Sequence, residues 1–195
     1  MSGRSLKLAI VVGSTRPGRN AEAVARWVHE IARRRAGVEF ELVDIANFDL
    51  PLLDEPLGAR ASAMMKRGYT RPHTDAWSTT IDAFDGYVFV TPEYNFGPPA
   101  ALKNALDYLY AEWNDKAAGF VSYGAAGGIR AAQQLRLVLA ELQVATVRNE
   151  VNLSLLTDFE NYTDFKPAPT HAARVDALLD QLIAWSGAFK SLRSA

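Results

Sequence analysis

Cysteine is absent from the 195 residues of this sequence. Its absence excludes disulfide bridges, thiolate catalysis, and zinc or iron–sulfur centres that cysteine ligates. A chain of this length can bury roughly 70% of its unfolded surface, so it needs none of these to be stable. Apolar residues make up 49% of the sequence. Together with the length, this predicts a single globular domain over residues 1–195.

An excess of charge of either sign is also absent. Lysine and arginine number 21, and aspartate and glutamate number 22, which gives a net charge of −1. Proteins that bind nucleic acid or acidic membranes typically present a basic surface. The composition therefore predicts neither nucleic acid nor a membrane as a partner.

The sequence has no long apolar run near its start. The run that ends at Val12 has about five residues, fewer than the core of a signal peptide and far fewer than a membrane-spanning helix. A run this short, in a chain without cysteine, favours a protein of the cytoplasm.

What the sequence does contain is an alternation of strand-like and helix-like segments. Short runs rich in branched and aromatic apolar residues predict five strands. These runs are Leu6–Val12, Val38–Val43, Gly86–Thr91, Ala118–Tyr123 and a segment within Thr146–Leu153.

Helical spacing of apolar residues fills the intervals between the strands. Helices are predicted around Val24–Ile31, Ala61–Lys66, Asp75–Phe84, Ile129–Leu142 and Val175–Leu182. A further helix is predicted to begin at Pro98 or Pro99, because proline is tolerated in a first helical turn. Thr157–Pro169 shows neither pattern and is predicted to be irregular.

Strands that alternate with helices predict an α/β domain with a parallel sheet and right-handed crossovers. Five strands fit a flavodoxin-like sheet of order 2-1-3-4-5, with helices on both faces, better than a six-stranded dinucleotide-binding fold. In that order the loops after strands 1, 3 and 4 meet at one edge of the sheet, where ligands of such folds bind. These three loops are the most unusual ones in the sequence.

The loop after strand 1 reads GSTRPGRN, from Gly13 to Asn20. It lacks the lysine of a Walker loop and does not fit the GxGxxG pattern, which argues against ATP hydrolysis and a standard dinucleotide site. Hydroxyls, arginines and backbone N–H groups at a helix start do suit a phosphate group. The candidate phosphate contacts are Ser14, Thr15, Arg16, Arg19 and Asn20. The alternative is an ordinary capped helix with solvated arginines.

The loop after strand 3 reads TPEYNFGPPAALKN. Pro92 stiffens the chain and Gly97 is expected to allow an unusual turn, so that successive backbone amides face one object. Aromatic faces and polar side chains between them suit a planar ligand with polar edges. The candidate contacts are Pro92, Glu93, Tyr94, Asn95 and Phe96. The alternative is that Tyr94 and Phe96 cap the core while Glu93 is solvated.

The loop after strand 4 reads SYGAAGG, from Ser122 to Gly128. Glycine lets a backbone approach a ligand closely, and this loop leads directly into a helix. A plain turn between strand and helix explains one or two of its three glycines equally well. Its predicted place beside the other two loops favours a shared ligand site.

Taken together, GSTRPGRN, TPEYNFGPPAALKNALDYL and SYGAAGG, in this order and at these distances, resemble the NADPH-dependent FMN reductase family. Members of that family share the flavodoxin-like fold and include quinone-, azo- and chromate-reducing flavoproteins. The resemblance extends from the first strand to the fourth helix and weakens after about Asn152. It implies FMN as cofactor and NADPH or NADH as co-substrate.

The resemblance also implies which residues contact the cofactor. The residues implied for the FMN phosphate are Ser14, Arg16 and Asn20, with Arg19 nearby. Those implied for the edge of the isoalloxazine ring, largely through backbone groups, are Pro92, Glu93, Tyr94 and Asn95, with Phe96 adjacent. Those implied for the other side of the ring are Ser122, Tyr123 and Gly124. No catalytic side chain and no metal is implied, because the flavin carries the chemistry.

The activity implied by the resemblance begins with hydride transfer from NAD(P)H to N5 of FMN. A quinone, a flavin or a similar small-molecule acceptor is then reduced, in a ping-pong cycle. A homodimer or homotetramer with the flavin site near a subunit boundary is implied as well. Tyr108, Tyr110 and Trp113 are candidates for that boundary, although core packing explains Trp113 equally well.

Two other functions are open from the residues alone. A flavodoxin-type electron carrier binds FMN without oxidising pyridine nucleotides. Such carriers tend to be strongly acidic, and a net charge of −1 argues against this function. A flavin-binding sensor without turnover would use the same three loops. We therefore expect the reductase, with the carrier and the sensor as alternatives.

Two further patterns are predicted to be unrelated to the site. Asp44 ends strand 2, where dinucleotide-binding folds carry a ribose-binding acid, but its distance from the first loop favours a solvated loop residue. His29, His73 and His171 have no spacing typical of metal ligands and are expected to have surface or capping roles.

Overall fold

Five parallel strands form the central sheet in the described part of the chain. In the computed structural model, which describes residues 5–193, they are β1 (Leu6–Val12), β2 (Val38–Asp44), β3 (Gly86–Pro92), β4 (Lys116–Gly124) and β5 (Val144–Ser154). Their order across the sheet is β2-β1-β3-β4-β5, and every neighbouring pair is parallel. The predicted flavodoxin-like order is confirmed. Residues 1–4 and 194–195 of the predicted domain lie outside the described residues.

Helices connect the strands of the sheet. Those described are α1 (Ala21–Ala32), a 3₁₀ turn (Ile45–Phe48), α2 (Ala59–Met64), α3 (Pro72–Asp82), α4 (Ala100–Asp107), α5 (Ile129–Glu141) and α6 (Thr170–Arg193). Within residues 5–193, none of the helices has the length and apolar character that crossing a membrane requires.

The side chains of β1 point alternately to the two faces of the sheet and so pack into two different cores. Leu8, Ile10 and Val12 face a core that contains buried residues of α1 and α6. Ala9 and Val11 face the other core, which contains buried residues of α3, α4 and α5. Neighbouring side chains of a strand point to opposite faces, so a strand covered on both sides requires an unbroken apolar run.

The central strands β3 and β4 are buried along their whole length. Their largest side chains, Tyr87, Phe89 and Phe120, are almost completely shielded from solvent. Burial of one large apolar side chain stabilises a fold by roughly 1.5–3 kcal/mol. The ends of these strands are therefore held firmly in place, and so are the starts of the loops that follow them.

Helix α4 begins later than its sequence pattern predicts. Pro98 and Pro99 precede the helix, because a residue before proline disfavours helical backbone and Pro99 itself is extended, with a ψ of 139°. The helix ends at Asp107. Leu109 and Trp113 therefore follow it in a buried, non-helical segment.

Two of the three residues suggested for a subunit boundary belong to the chain's own core. Tyr108 and Trp113 are fully buried. The Tyr108 hydroxyl lies 3.1 Å from the Pro51 carbonyl and 3.0 Å from the Asp54 carboxylate. The suggestion is therefore wrong for Tyr108 and Trp113, whereas Tyr110 is partly exposed.

A small hairpin occupies part of the segment predicted to be irregular. Its strands are β6 (Phe159–Glu160) and β7 (Asp164–Phe165), which pair antiparallel. Phe165 packs edge-on against Trp27 of α1, with 5.5 Å between the ring centroids. Strands of two residues have no measurable periodicity, which is why the sequence pattern does not reveal them.

A buried lysine lies at the opposite, amino-terminal edge of the sheet. The Lys116 ammonium donates hydrogen bonds to the carbonyls of Ile81 and Asp82 at 3.2 and 3.3 Å, and to the Tyr87 hydroxyl at 3.1 Å. It thereby binds carbonyls at the carboxyl end of α3, where a cation is favourable. Burial lowers the pKa of Lys116 to about 8.

Candidate active site

The loops after β1, β3 and β4 meet at the carboxyl edge of the sheet. We call them the β1 loop (Gly13–Asn20), the β3 loop (Pro92–Pro99) and the β4 loop (Ser122–Gly128). Between the first two, the Ser14 and Tyr94 hydroxyls are 3.0 Å apart. Between the second and third, the Glu93 N–H donates to the Tyr123 carbonyl at 2.9 Å. The structure therefore brings together the three loops that the strand order placed side by side.

The β1 loop leaves its strand in close contact with β3. The Gly13 N–H donates to the Val90 carbonyl at 2.9 Å, and a Cβ on Gly13 would lie 2.8 Å from that oxygen. A residue with a side chain does not fit so close to a neighbouring backbone. The next residue, Ser14, is fully buried and contacts Tyr94 from there.

Thr15 is exposed and lines a cleft beside the β1 loop. The cleft has a volume of about 410 Å³, and its other walls include Ala46, Asp49, Leu50 and Ala101. These walls belong to the chain at the end of β2 and to the first turn of α4. The cleft therefore opens at the same edge of the sheet as the loops.

The two arginines of the β1 loop have different surroundings. Arg19 pairs with Asp44 and with Glu22, both at 2.6 Å, and is largely buried. Arg16 is exposed and has no carboxylate partner within residues 5–193. Its guanidinium lies 6.0 Å from the centre of the Tyr94 ring. Arg16 is therefore the arginine available to an anion, whereas Arg19 holds the loop against the end of β2.

Asp44 has a structural role that the sequence pattern does not reveal. Its carboxylate accepts a hydrogen bond from Arg19 at 2.6 Å and another from the Ala46 N–H at 3.0 Å. The second bond caps the 3₁₀ turn that follows β2. The expectation of a solvated loop residue is therefore wrong.

Asn20 connects the β1 loop to the hairpin β6–β7. Its side-chain amide donates to the Tyr162 carbonyl at 2.8 Å, and the residue is buried. Asn161 and Tyr162 form the tip of the hairpin, with positive φ angles of 51° and 62°. Part of the hydrogen-bonding capacity of Asn20 is thus used inside the protein, which leaves less of it for a phosphate.

Backbone donors of the β1 loop, among them the N–H groups of Thr15 and Gly18, have no partner in the part of the chain that the structure describes. Together with the Arg16 cation and the amino end of α1, these donors suit a phosphate monoester. The residues present therefore fit the phosphate of FMN.

The β3 loop contains a tight two-residue turn, which we call the aromatic turn (Tyr94–Gly97). The Tyr94 and Gly97 backbones exchange hydrogen bonds at 2.9 and 3.1 Å. Asn95 and Phe96 between them have positive φ angles of 47° and 78°, as in a type I′ turn. The expectation that Gly97 supplies the unusual backbone is wrong, because its φ is not positive.

The aromatic turn is strained at an exposed position. A residue with a side chain in the left-handed region costs roughly 1–3 kcal/mol, and such residues cluster at ligand sites. Phe96 is 60% exposed, so burial of its own ring offsets little of that cost. The backbone N–H groups of Asn95 and Phe96 have no partner among residues 5–193. The turn therefore offers two adjacent donors to a ligand.

Glu93 is held by a residue that the sequence analysis does not single out. Its side chain is 5% exposed and pairs with the Arg130 guanidinium. The Arg130 N–H also donates to the Glu93 carboxylate at 3.0 Å, so the alternative of a solvated Glu93 is wrong. The available signal was the position of Arg130, in the first turn of the helix that follows the glycine-rich loop.

The β4 loop offers main chain rather than side chains to a ligand. The Ser122 hydroxyl is buried and donates to the Gly127 carbonyl at 2.8 Å. Tyr123 is buried against Phe159, with 5.8 Å between the ring centroids, and burial raises the pKa of its hydroxyl. A contact from Ser122 or Tyr123 to a flavin is therefore limited to their backbone groups.

Turn geometry accounts for the glycines of the β4 loop. Gly127 and Gly128 have positive φ angles of 73° and 71°. A Cβ on Gly128 would lie 2.6 Å from the Tyr123 nitrogen, and one on Gly124 would lie 3.2 Å from the Glu93 Cβ. The plain-turn alternative therefore explains these glycines without a ligand.

Most of the chain, residues 6–158, matches the family model described as NADPH-dependent FMN reductase. The chain belongs to this family. It is therefore an oxidoreductase that uses NAD(P)H and FMN, as the sequence resemblance implied. The hairpin β6–β7 of this reductase lies just beyond the matched residues.

Relatives of the reductase are similar over most of their length. An NAD(P)H-dependent FMN reductase of Schizosaccharomyces pombe is 41% identical over 152 residues, which are 78% of this chain and 74% of the relative. Another from Saccharomyces cerevisiae is 37% identical over 73% of this chain and 78% of its own. A quinone reductase of Escherichia coli is 36% identical over 74% of each chain.

Solved structures support the fold of the reductase. FerB, a flavoenzyme NAD(P)H:(acceptor) oxidoreductase from Paracoccus denitrificans, has a TM-score of 0.71 over 94% of this chain and 98% of its own. The two chains are 20% identical, so the similarity concerns the fold alone.

Proposed function

We propose that the reductase uses FMN to carry hydride from NAD(P)H to a quinone, a free flavin or a similar small acceptor, in a ping-pong cycle. The observation that carries this proposal is the contact between the Ser14 and Tyr94 hydroxyls, 3.0 Å apart. It joins a loop with unpaired phosphate donors to a turn with unpaired donors for a planar ligand. Relatives named as FMN reductases and as quinone reductases support the same class of acceptor.

The donors of the β1 loop would hold the phosphate of FMN. The Thr15 and Gly18 N–H groups and the Arg16 cation are unpaired within residues 5–193. Hydrogen bonds to a charged group contribute roughly 1.5–3 kcal/mol each, so three such contacts would hold the phosphate in the β1 loop. Ser14 would contribute indirectly, because its buried hydroxyl contacts the Tyr94 hydroxyl and so fixes the position of Tyr94.

The aromatic turn would receive the edge of the flavin ring. Its Asn95 and Phe96 N–H groups are preorganised donors, because the backbone bonds between Tyr94 and Gly97 fix their direction. When bound, FMN supplies the two-electron redox chemistry, taking hydride from NAD(P)H and delivering it to the acceptor. In a ping-pong cycle the oxidised nucleotide leaves before the acceptor reacts, and the cleft of about 410 Å³ beside Thr15 supports such an exchange of small molecules at this edge of the sheet.

Anaerobic reduction tests the proposed function directly. The purified protein is loaded with FMN and mixed with NADPH or NADH without oxygen, and the flavin absorbance is followed. We expect prompt bleaching, and recovery of the colour when a quinone is added. A tightly held flavin that ignores both nucleotides would contradict the proposal and favour the carrier or the sensor.

We further propose that residues 1–195 form one FMN-binding domain, that the protein works in the cytoplasm, and that it forms a homodimer or homotetramer. An apolar groove supports the assembly, since Ala59, Met64, Leu109 and Tyr110 line it and Met64 is exposed in the single chain. Light scattering after size-exclusion chromatography measures the mass in solution. A monomer at micromolar concentration would contradict the proposed assembly.

A further inference from the structure

Arg130, at the start of α5, contacts the chain on both sides of Tyr94. Its guanidinium pairs with Glu93 and lies 4.4 Å from the centre of the Phe96 ring. Its backbone N–H donates to the Glu93 carboxylate at 3.0 Å, so both the main chain and the side chain hold this group. Helix α5 is thereby bound to the β3 loop at the point where the aromatic turn begins.

The aromatic turn needs such support because its backbone is strained. The left-handed conformations of Asn95 and Phe96 persist only where surrounding contacts fix them. Gln134, one helical turn beyond Arg130, donates to the Phe96 carbonyl at 2.6 Å. Residues four apart lie on the same face of a helix. One face of α5 therefore holds the β3 loop both before and within the strained segment.

The buried Glu93 carboxylate makes a counter-charge necessary. A buried carboxylate without a partner is strongly destabilised, and Arg130 supplies the positive charge while part of its own side chain stays exposed. Without the Arg130 charge, the Glu93 carboxylate would be driven toward water. That movement would disturb the adjacent N–H groups of Asn95 and Phe96.

We propose that Arg130 is a positioning residue for the flavin. It neutralises Glu93 and thereby fixes the donors of the aromatic turn at the edge of the ring. This inference rests on the proposed function, which assigns the ring edge to that turn. Arg130 acts through Glu93 and Phe96, so we expect its loss to alter the properties of bound flavin.

The substitution Arg130→Met tests this role, since it removes the charge and keeps much of the side-chain length. The measured quantities are the FMN dissociation constant and the midpoint potential of the bound flavin, at pH 8, in a dye-coupled titration without NAD(P)H. We expect oxidised FMN to bind about tenfold more weakly, because the ring-edge donors lose their positions. An uncompensated carboxylate also opposes added negative charge, so reduced FMN loses a further factor of about ten, a shift of about 30 mV to more negative potential.

Two further variants separate charge balance from a general effect on the fold. The combination of Arg130→Met with Glu93→Gln removes both charges, and we expect it to restore most of the affinity and potential. Arg26→Met is the matched control, because the Arg26 side chain is 72% exposed and lies 3.9 Å from its carboxylate partner on Glu22. We expect Arg26→Met to leave both quantities unchanged.

Either of two results overturns the proposal. One is a folded Arg130→Met protein with wild-type FMN affinity and potential, and the other is a double variant as impaired as the single one. If Arg130→Met does not fold, Arg130→Gln, which keeps a hydrogen-bond donor without the charge, is measured against the same expectations. Neither measurement uses NAD(P)H, so their outcome is independent of whether the nucleotide bleaches the flavin.

Discussion

Arg16 and Arg19 stand three residues apart in one loop, and the fold uses them differently. Arg19 is held by two carboxylates, each at 2.6 Å, and so connects the loop to α1 and β2. Arg16 has no carboxylate partner within residues 5–193 and is exposed to solvent. A cation of this kind beside unpaired N–H groups is suited to an anionic ligand.

Replacing Arg16 by Ala is expected to weaken FMN binding about 10- to 100-fold, since a hydrogen bond to a charged group contributes roughly 1.5–3 kcal/mol. The melting temperature of the protein without FMN is expected to stay unchanged, because Arg16 has no ion pair to lose. Quenching of flavin fluorescence measures the affinity, with Arg26→Ala as the control. Equal FMN affinity in Arg16→Ala and native protein would show that the phosphate binds elsewhere.

The sequence predicts which residues lie around the site, but it does not predict the hydrogen-bond partner of each residue. Asn20 and Glu93 are polar residues in loops that do converge, yet each is held by a partner in another element. Asn20 bonds to Tyr162, 142 residues away, and Glu93 bonds to Arg130, 37 residues away. Pairings of this kind depend on the folded chain and leave no local pattern.

At the scale of elements, the strands follow from the sequence and the connections do not. Strand β1 has its predicted bounds, Leu6–Val12, because a strand buried on both faces is apolar throughout. The aromatic turn has no such pattern, since it uses Asn95 and Phe96 in conformations that glycine normally supplies. The hairpin β6–β7 escapes prediction because its strands are too short to alternate.

The turn between β4 and α5 is expected to require glycine at position 128. In Gly128→Ala the new methyl group would lie 2.6 Å from the Tyr123 nitrogen at a positive φ of 71°. The left-handed backbone alone costs roughly 1–2 kcal/mol, and the contact adds to it. We expect a loss of at least about 2 kcal/mol, or about 4 °C in melting temperature, measured by calorimetry.

Gly58→Ala is the matched control for this substitution. Gly58 precedes α2 with a φ of −61°, and a Cβ there would meet no atom within 4 Å. Gly58 is also the N-cap of α2, where alanine is less favourable than glycine, so we expect its effect to stay within about 1 kcal/mol. Similar melting temperatures for the two variants would mean that the Gly128 contact is relieved by movement of the turn.

Across the whole molecule, the two ends of the parallel strands have different roles. The carboxyl ends carry the loops of the candidate site, and the amino ends include a buried lysine. The loops of the candidate site follow the carboxyl ends of β1, β3 and β4. Lys116 begins β4 at the other edge, where it binds the end of α3. The contribution of this lysine to stability can therefore be altered without touching a residue of the site.

Stability is expected to depend on pH through Lys116. Its pKa is lowered by burial to about 8 in the folded protein, from an ordinary value of 10.5. Between these values the unfolded chain binds the proton more tightly, so the free energy of unfolding rises with pH, by at most about 1.4 kcal/mol per pH unit. Well below pH 8 the lysine is protonated in both states and contributes no slope.

Urea unfolding of native protein and Lys116→Met at pH 7, 8, 9 and 10 measures this contribution. We expect the difference in unfolding free energy to shift in favour of the native protein above pH 8. Lys103→Met, which replaces an exposed lysine, is expected to keep the native pH dependence. Parallel curves for native protein and Lys116→Met would contradict the assignment.

The position of Lys116 has a consequence for how titration curves of the enzyme are interpreted. Strand β3, which runs from one edge to the other, has seven residues and spans about 23 Å at roughly 3.3 Å per residue. Two unit charges about 23 Å apart interact by only about 0.7 kcal/mol at an effective dielectric constant of about 20, so loss of a proton at the lysine shifts a pKa in the loops by about half a unit. A turnover profile and an unfolding profile are therefore expected to have unrelated midpoints, each reporting on its own end of the sheet.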